Sequence, residues 1–324
     1  LYCRQDGRYV AVLSGKGEKQ MTTVPVRRHN HVRRLASDRA FDGVLYTIAA
    51  ILTLTALYPM YFIIIASISD PSLVAQGKIL LLPRGVTLEG YEHLASMKNL
   101  WVGYGNTILY TIAGTAIMLV VNIPVAYALS RRDLVGRRWF TLFFVFPMFF
   151  GGGLIPTFII INNWFHLLDT FTVMVLPFSV IAYYIIVART FFQSSLPAEL
   201  WDAAQIDGCG NLRYFFTIVL PLSKAIISVI ALWAAVGHWN SYFNALIYLR
   251  TADRYPLQLV MRNILINNEV VSNAMTGSAA AELNRKANLI KYGAIVVSSL
   301  PIMCMYPFVQ KYFNQGVMIG ALKG

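Results

Sequence analysis

The chain has 324 residues, of which 57% are hydrophobic and only 13% charged, and its mean hydropathy is +0.56. A soluble domain carries about 25% charged residues, so composition excludes that class. A formal charge of +12 would suit nucleic acid in a soluble protein, but here the positions of the cations tie it to a membrane surface instead.

In chain order, residues 1–20 are polar and mixed, and Met21-Thr22-Thr23 reads as an ordinary start, so the expectation for 1–20 is a vector-derived or upstream-translated extension. Residues 1–43 form a basic segment with Arg27, Arg28, Arg33 and Arg34, predicting an interfacial helix around 31–43 on anionic lipid. Six apolar stretches follow, roughly 44–68, 104–129, 139–161, 171–192, 216–247 and 289–313. Each is about the 20 residues that cross a hydrocarbon core, and each must be helical because lipid offers no partner to an open backbone. The fifth is too long for one straight span. The predicted fold is therefore all-α: a polytopic membrane protein with six transmembrane helices over 44–314 and a tail at 315–324.

The first long loop, 69–103, carries turn signals at Asp70-Pro71 and Pro83-Arg84-Gly85. Asn122 and Pro124 in the second span fit a helix packed inside a bundle. The third span ends in Pro147 to Pro156, where Gly151, Gly152 and Gly153 lie between the two prolines. That run predicts a kink or unwound segment, serving either close packing or a flexible place beside a path. Residues 1–41 hold nine Lys/Arg, and loop 130–138 holds Arg131, Arg132, Arg137 and Arg138, while loop 162–170 holds none. The positive-inside rule then puts both termini, loop 130–138 and the break near residue 200 in the cytoplasm. Cys3, Cys209 and Cys304 are scattered and form no disulfide framework.

The break at 194–213 is the most specific feature. Ser194 and Ser195 can cap a helix whose first turn holds Pro197 and Glu199, and Gly208 or Gly210 can end it. Leu200, Ala203, Ala204 and Asp207 share one side of it, and Glu199, Asp202 and Ile206 the next. Small alanines flanked by carboxylates make a short peg for a partner's groove. The string Asp202-Ala203-Ala204-Gln205-Ile206-Asp207-Gly208, then nine residues and Ile218-Val219-Leu220-Pro221, resembles the "EAA" loop of ABC importer permeases, with Asp202 in place of the usual Glu. The resemblance implies the type I permease architecture. It also implies that Glu199, Asp202, Ala203, Ala204, Asp207 and Gly208 dock on a separate ATPase, which would bind the ATP and Mg.

Gly237 to Tyr248 and the tail Gly316 to Gly324 are similar to the carbohydrate-uptake branch related to the maltose transporter permeases. Gly151 to Pro177, with Asn162-Asn163 and Leu168-Asp169-Thr170, resembles a branch importing alginate-like polysaccharides. Trp239, Asn240, Tyr242 and Asn244 are the candidate substrate-path residues, since aromatic faces and amides bind sugars and polar groups at membrane depth face cavities. Trp and Tyr also form interfacial belts, and Asn also joins helices, so both readings stand. His238 has no second His or carboxylate at helical spacing and reads as a packed polar residue.

No Gly-x-x-x-x-Gly-Lys-Ser/Thr string cradles phosphate, and five dispersed histidines offer no metal spacing. The expectation is a non-catalytic subunit that binds no cofactor. The resemblance implies a second permease, two copies of an ABC ATPase, a periplasmic or extracellular solute-binding protein met by loops 69–103 and 250–288, a carbohydrate substrate, membrane lipid and no nucleic acid. Its expected place is the bacterial inner membrane. The competing class is an ATP-independent secondary transporter or channel, which would show intramembrane carboxylates or paired broken helices.

Overall fold

The computed structural model describes residues 2–5, 8–11, 22–23, 36–274, 285 and 287–304. The chain divides into two compact units, Leu1–Pro59 and Met60–Gly324. The first holds a small antiparallel sheet, β1 (Tyr2–Gln5), β2 (Arg8–Ala11) and β3 (Thr22–Thr23), in that order. It also holds most of α1 (Ala36–Ser67). All other regular structure among the described residues is helical. Residues 36–43, expected in an interfacial helix, are the opening turns of α1, and 31–35 lie outside the described residues. Thr47, Thr53 and Thr55 each donate a hydroxyl to the carbonyl four residues back, at 2.8, 2.7 and 2.8 Å. Polar groups are thereby satisfied within the helix, as hydrocarbon requires.

In the second unit, α2 (Pro71–Ala75) starts at the expected Asp70-Pro71 signal, with the Asp70 carboxylate accepting from Ser72 N at 2.8 Å. After α3 (Glu89–Ser96) comes α4 (Lys98–Ser130), the long central helix. The third apolar stretch is broken: α5 (Arg137–Phe149) and α6 (Leu154–Ile159), the latter continued by a π-helical turn to Trp164, are bent by 113°. A Cβ added at Gly151 or Gly152 would meet nothing within 4 Å. Within this chain, then, the glycines serve the break rather than close packing.

The fourth stretch is broken too, into α7 (Phe171–Val175) and α8 (Ala182–Ser195). Asn122, fully buried on α4, repairs the gap. Its amide donates to Ser179 O at 2.6 Å and to Met118 O at 2.7 Å, and its oxygen accepts from Ile181 N at 3.0 Å. A hydrocarbon-buried break needs such partners. Next come α9 (Ala198–Ile206), α10 (Asn211–Tyr214), a π-helical turn over Phe215–Val219, α11 (Leu220–Leu222) and α12 (Lys224–Trp239). The helical run Asn211–Leu222 meets α12 at 80°. That bend resolves the over-long fifth stretch, and Pro221, which cannot donate to a preceding turn, sits at it. The chain continues through α13 (Phe243–Tyr248), α14 (Leu257–Ala274) and α15 (Ala287–Cys304).

Among the described residues, three helices, α1 from Ala40, α4 and α15, are each long and apolar enough to cross a membrane, and up to five segments are if each bent pair is one span. With α7–α8 as the sixth, the arrangement is consistent with six spans. The tail 315–324 lies outside the described residues.

α4 and α12 approach closely at Gly114. A Cβ there would come within 2.3 Å of His238 Nε2 and 2.4 Å of Cε1. His238 is 7% exposed, so it is a packed side chain that needs the missing Cβ.

Candidate functional site

The segment expected to form a docking peg is α9. Its first residue follows Pro197, which occupies the N-cap with extended backbone, whereas Ser194 and Ser195 end α8 instead of capping α9. Proline fixes φ and has no donor to waste, so it substitutes for the expected serine cap. The other end closes as the glycine predicted. Gly208 stands at φ +72°, Gly208 N donates to Gln205 O at 2.9 Å, and Cys209 N donates to Ala204 O at 2.8 Å. These are the two bonds of a Schellman cap.

One face of α9 is anchored. Ala204 is buried in a core that also contains Ile123, Phe192, Val219 and Ile230, so α9 shares its packing with α4, α8 and α12. This corrects the expectation that Ala204 faces a partner together with Ala203. Trp201 stands edge-on to Tyr214 at 4.9 Å. The guanidinium of Arg131 lies 3.9 Å from the centre of the Trp201 ring. The same guanidinium holds Asp133 with both nitrogens, at 2.9 and 2.7 Å, and those bonds depress the Asp133 pKa. Asp133 is 66% exposed and Arg131 16%. A cation–π contact of this kind is worth about 0.5–2 kcal/mol, so stacking on Trp201 adds to the two-nitrogen grip on Asp133 in fixing Arg131 against α9. The sequence marked Arg131 only as a cation of loop 130–138 and did not mark Trp201; the inward i, i+3 pair Trp201 and Ala204 was the available signal.

The opposite face is open. Glu199, Asp202, Ala203, Asp207 and Gly208 are exposed, with Leu200 and an Ile206 that is 87% exposed. Residues 196–212 contain no Lys or Arg, so the peg is apolar at its centre and anionic around it. Behind it opens a cleft of about 930 Å³ lined by Arg131, Arg137, Glu199, Trp201 and Asp202 among others.

The candidate path residues lie near the far end of α12, and they separate. Trp239 is 5% exposed and donates its indole N–H to Ser298 O at 3.2 Å, so it joins α12 to α15. Asn240 and Tyr242 line a second cleft of about 550 Å³ between the end of α12, α14 and α15. Asn244 on α13 is half-buried and does not line it. Gln258, Arg262, Ser298 and Ser299 do line it, and for Gln258 and Arg262 the signal was their i, i+4 spacing in the mainly apolar first half of α14.

The loop leading into α14 is held firmly. Asn106 donates to Asp253 O at 2.7 Å, and Thr107 Oγ1 accepts from Leu257 N at 2.7 Å. Asp169 accepts from Thr251 Oγ1 at 2.6 Å and from Arg250 N at 3.0 Å, which holds its pKa down to about 2. Among the described residues no group of three or more His, Cys, Asp or Glu could hold a metal ion.

The family described as "Binding-protein-dependent transport system inner membrane component" matches residues 123–319, a range that begins on α4, takes in α9 and both clefts, and passes the end of α15. The chain belongs to this family. As a permease it is 35% identical over 291 residues to the polygalacturonan/rhamnogalacturonan transport system permease protein YtcP of Bacillus subtilis strain 168, covering 89% of this chain and 99% of that one. It is 36% identical over 266 residues to protein LplC of the same organism, covering 82% and 89%. A chain from the crystal structure of a bacterial ABC transporter involved in the import of the acidic polysaccharide alginate matches with a TM-score of 0.77 and 33% identity, covering 86% of this permease and 99% of that chain. Permeases of this family are multi-pass inner-membrane subunits, and the helical fold above is theirs.

Proposed function

We propose that this permease is one membrane half of an ATP-driven importer that moves an oligo- or polysaccharide, alginate-like in its acidity, into the cytoplasm. The observation that carries the reading is the build of α9: one face fixed in the protein's own core, the other presenting Ile206 and Ala203 within a ring of Glu199, Asp202 and Asp207. Ile206, Leu200 and Ala203 leave apolar surface on a helix edged by carboxylates, which suits an apolar groove rimmed by basic groups on a partner. In this reading the cover is an ABC ATPase, present in two copies and carrying the ATP and Mg, with Ala204 and Gly208 fixing the peg's seat and aim. The chain itself binds no cofactor and catalyses nothing. A second permease forms the other half, and a solute-binding protein delivers the sugar to the outer loops 69–103 and 250–288.

Both termini and α9 face the cytoplasm, consistent with the cations of 1–41 and 130–138. The basic segment 1–43, the helical domain 44–314 and the tail 315–324 are its three parts. Asn240 and Tyr242 line the sugar path, Trp239 backs it, and Asn244 lies beside it. Broken helix pairs do occur, at α5–α6 and before α12, but α4, α5, α6, α8, α12 and α15 hold no carboxylate for ion coupling. An ATP-independent carrier would also leave the exposed face of α9 without a purpose. The test is a cysteine at Ile206 in the complex co-purified with its ATPase. A short bifunctional maleimide should join the two subunits, and the yield should change when ATP is bound. Efficient labelling of that cysteine from outside intact cells would overturn the docking assignment and the topology together.

A further inference from the structure

We infer that Arg262 is the group that recognises the carboxylate of a uronic-acid sugar, in the cleft formed by the end of α12, α14 and α15. The inference rests on the reading that this permease carries saccharide. The cleft's volume, about 550 Å³, falls among those of small-ligand sites, about 300–1,000 Å³. Its lining is of three kinds, and a uronate needs all three. Arg262 supplies a planar donor fork that fits a carboxylate. Asn240, Gln258, Ser298 and Ser299 supply amides and hydroxyls for ring hydroxyls. Tyr242 and the aliphatic Ile295 supply a face for the sugar's C–H surface.

Among the described residues that line the cleft, Arg262 is the one charged side chain. Arg262 lines the cleft, is half-buried, and makes no ion pair among the described residues. A cation removed from part of its water without a counter-ion is held at a cost that an anionic ligand offsets. The walls are set beforehand. Trp239 ties α12 to Ser298 O on α15 at 3.2 Å, and the Tyr104 hydroxyl on α4 donates to Val297 O. The hydroxyls of Ser298 and Ser299 both donate to Ile295 O, at 3.1 and 2.7 Å. Their oxygens still have lone pairs for a sugar hydroxyl.

The test uses the full transporter, with its second permease, ATPase and binding protein, in proteoliposomes supplied with trigalacturonate. Arg262→Gln should lower uptake roughly tenfold to a hundredfold, the range for losing a hydrogen bond to a charged group. Arg262→Lys should fall between that variant and the wild type. During turnover, a water-soluble carbodiimide should couple the trigalacturonate carboxyl to the amine introduced by Arg262→Lys, giving a peptide heavier by the sugar less one water. Unchanged uptake by assembled Arg262→Gln, with no adduct on the Lys variant, overturns the inference while leaving the import reading intact. A defect that follows the anionic lipid content of the vesicle, with no sugar adduct, overturns it in favour of a lipid headgroup site. No ATP-dependent uptake of any saccharide by the wild-type complex would sink the import reading itself.

Discussion

Replacing Gly208 with valine is expected to leave the transport complex assembled and to remove most of its substrate-stimulated ATP hydrolysis. Gly208 stands at φ +72° at the end of α9. A Cβ there would meet nothing within 4 Å, so the cost is conformational and not steric. A β-branched residue held in left-handed backbone costs about 1–3 kcal/mol. The strain is relieved by giving up the two cap bonds, Gly208 N to Gln205 O and Cys209 N to Ala204 O. That frees the peg's tip while the side chain of Ala204 stays in its core cluster. The cost is small beside the stability of a membrane bundle and large for a contact that must be aimed. Asparagine tolerates left-handed backbone, so Gly208→Asn should retain most of the stimulation. A valine variant that assembles and is stimulated like the wild type would remove α9 from the transmission path.

Gly114→Val is expected to fail earlier, at folding. Even the Cβ would lie 2.3–2.7 Å from three ring atoms of His238, which is buried on α12. Overpacking of this kind typically costs about 1–3 kcal/mol, and more when a ring has no free space to move into. Thermal unfolding of the detergent-solubilised complex should drop sharply for Gly114→Ala and assembly should be lost for Gly114→Val. Adding His238→Ala to the Gly114→Ala variant should restore part of the loss, giving a coupling between the two sites. If the two substitutions are merely additive, the α4–α12 contact is looser than the geometry indicates.

These two glycines illustrate what the sequence could and could not disclose. Gly208 was legible because a helix end is a local event: Glu199 in the first turn, the apolar spacing and the glycine lie within a dozen residues. Gly114 was not, because its reason is His238, 124 positions away on another helix. Asn122 falls between: its polarity marked an inward face, but its task of repairing the break at Ser179–Ile181 needed the tertiary fold. Ala204 turned inward although it shares a helix side with the exposed Ala203. A helix anchored by Trp201 leaves only a narrow face outward, and Arg131 lies on Trp201 from a distant loop. The path residues divided for the same kind of reason. Trp239 follows the inner face of α12 into the core, and Asn240 ends the helix at the cleft.

The central claim is that this permease moves its cargo only when an ATPase acts through α9. Its most direct measurement is accumulation of labelled trigalacturonate in proteoliposomes holding the complete complex, with binding protein outside and ATP, a non-hydrolysable analogue or an ion gradient as the only energy source. Accumulation with ATP alone, lost in the assembled Gly208→Val complex, is the predicted result. Accumulation driven by an ion gradient without ATP, and indifferent to Gly208→Val, would contradict it.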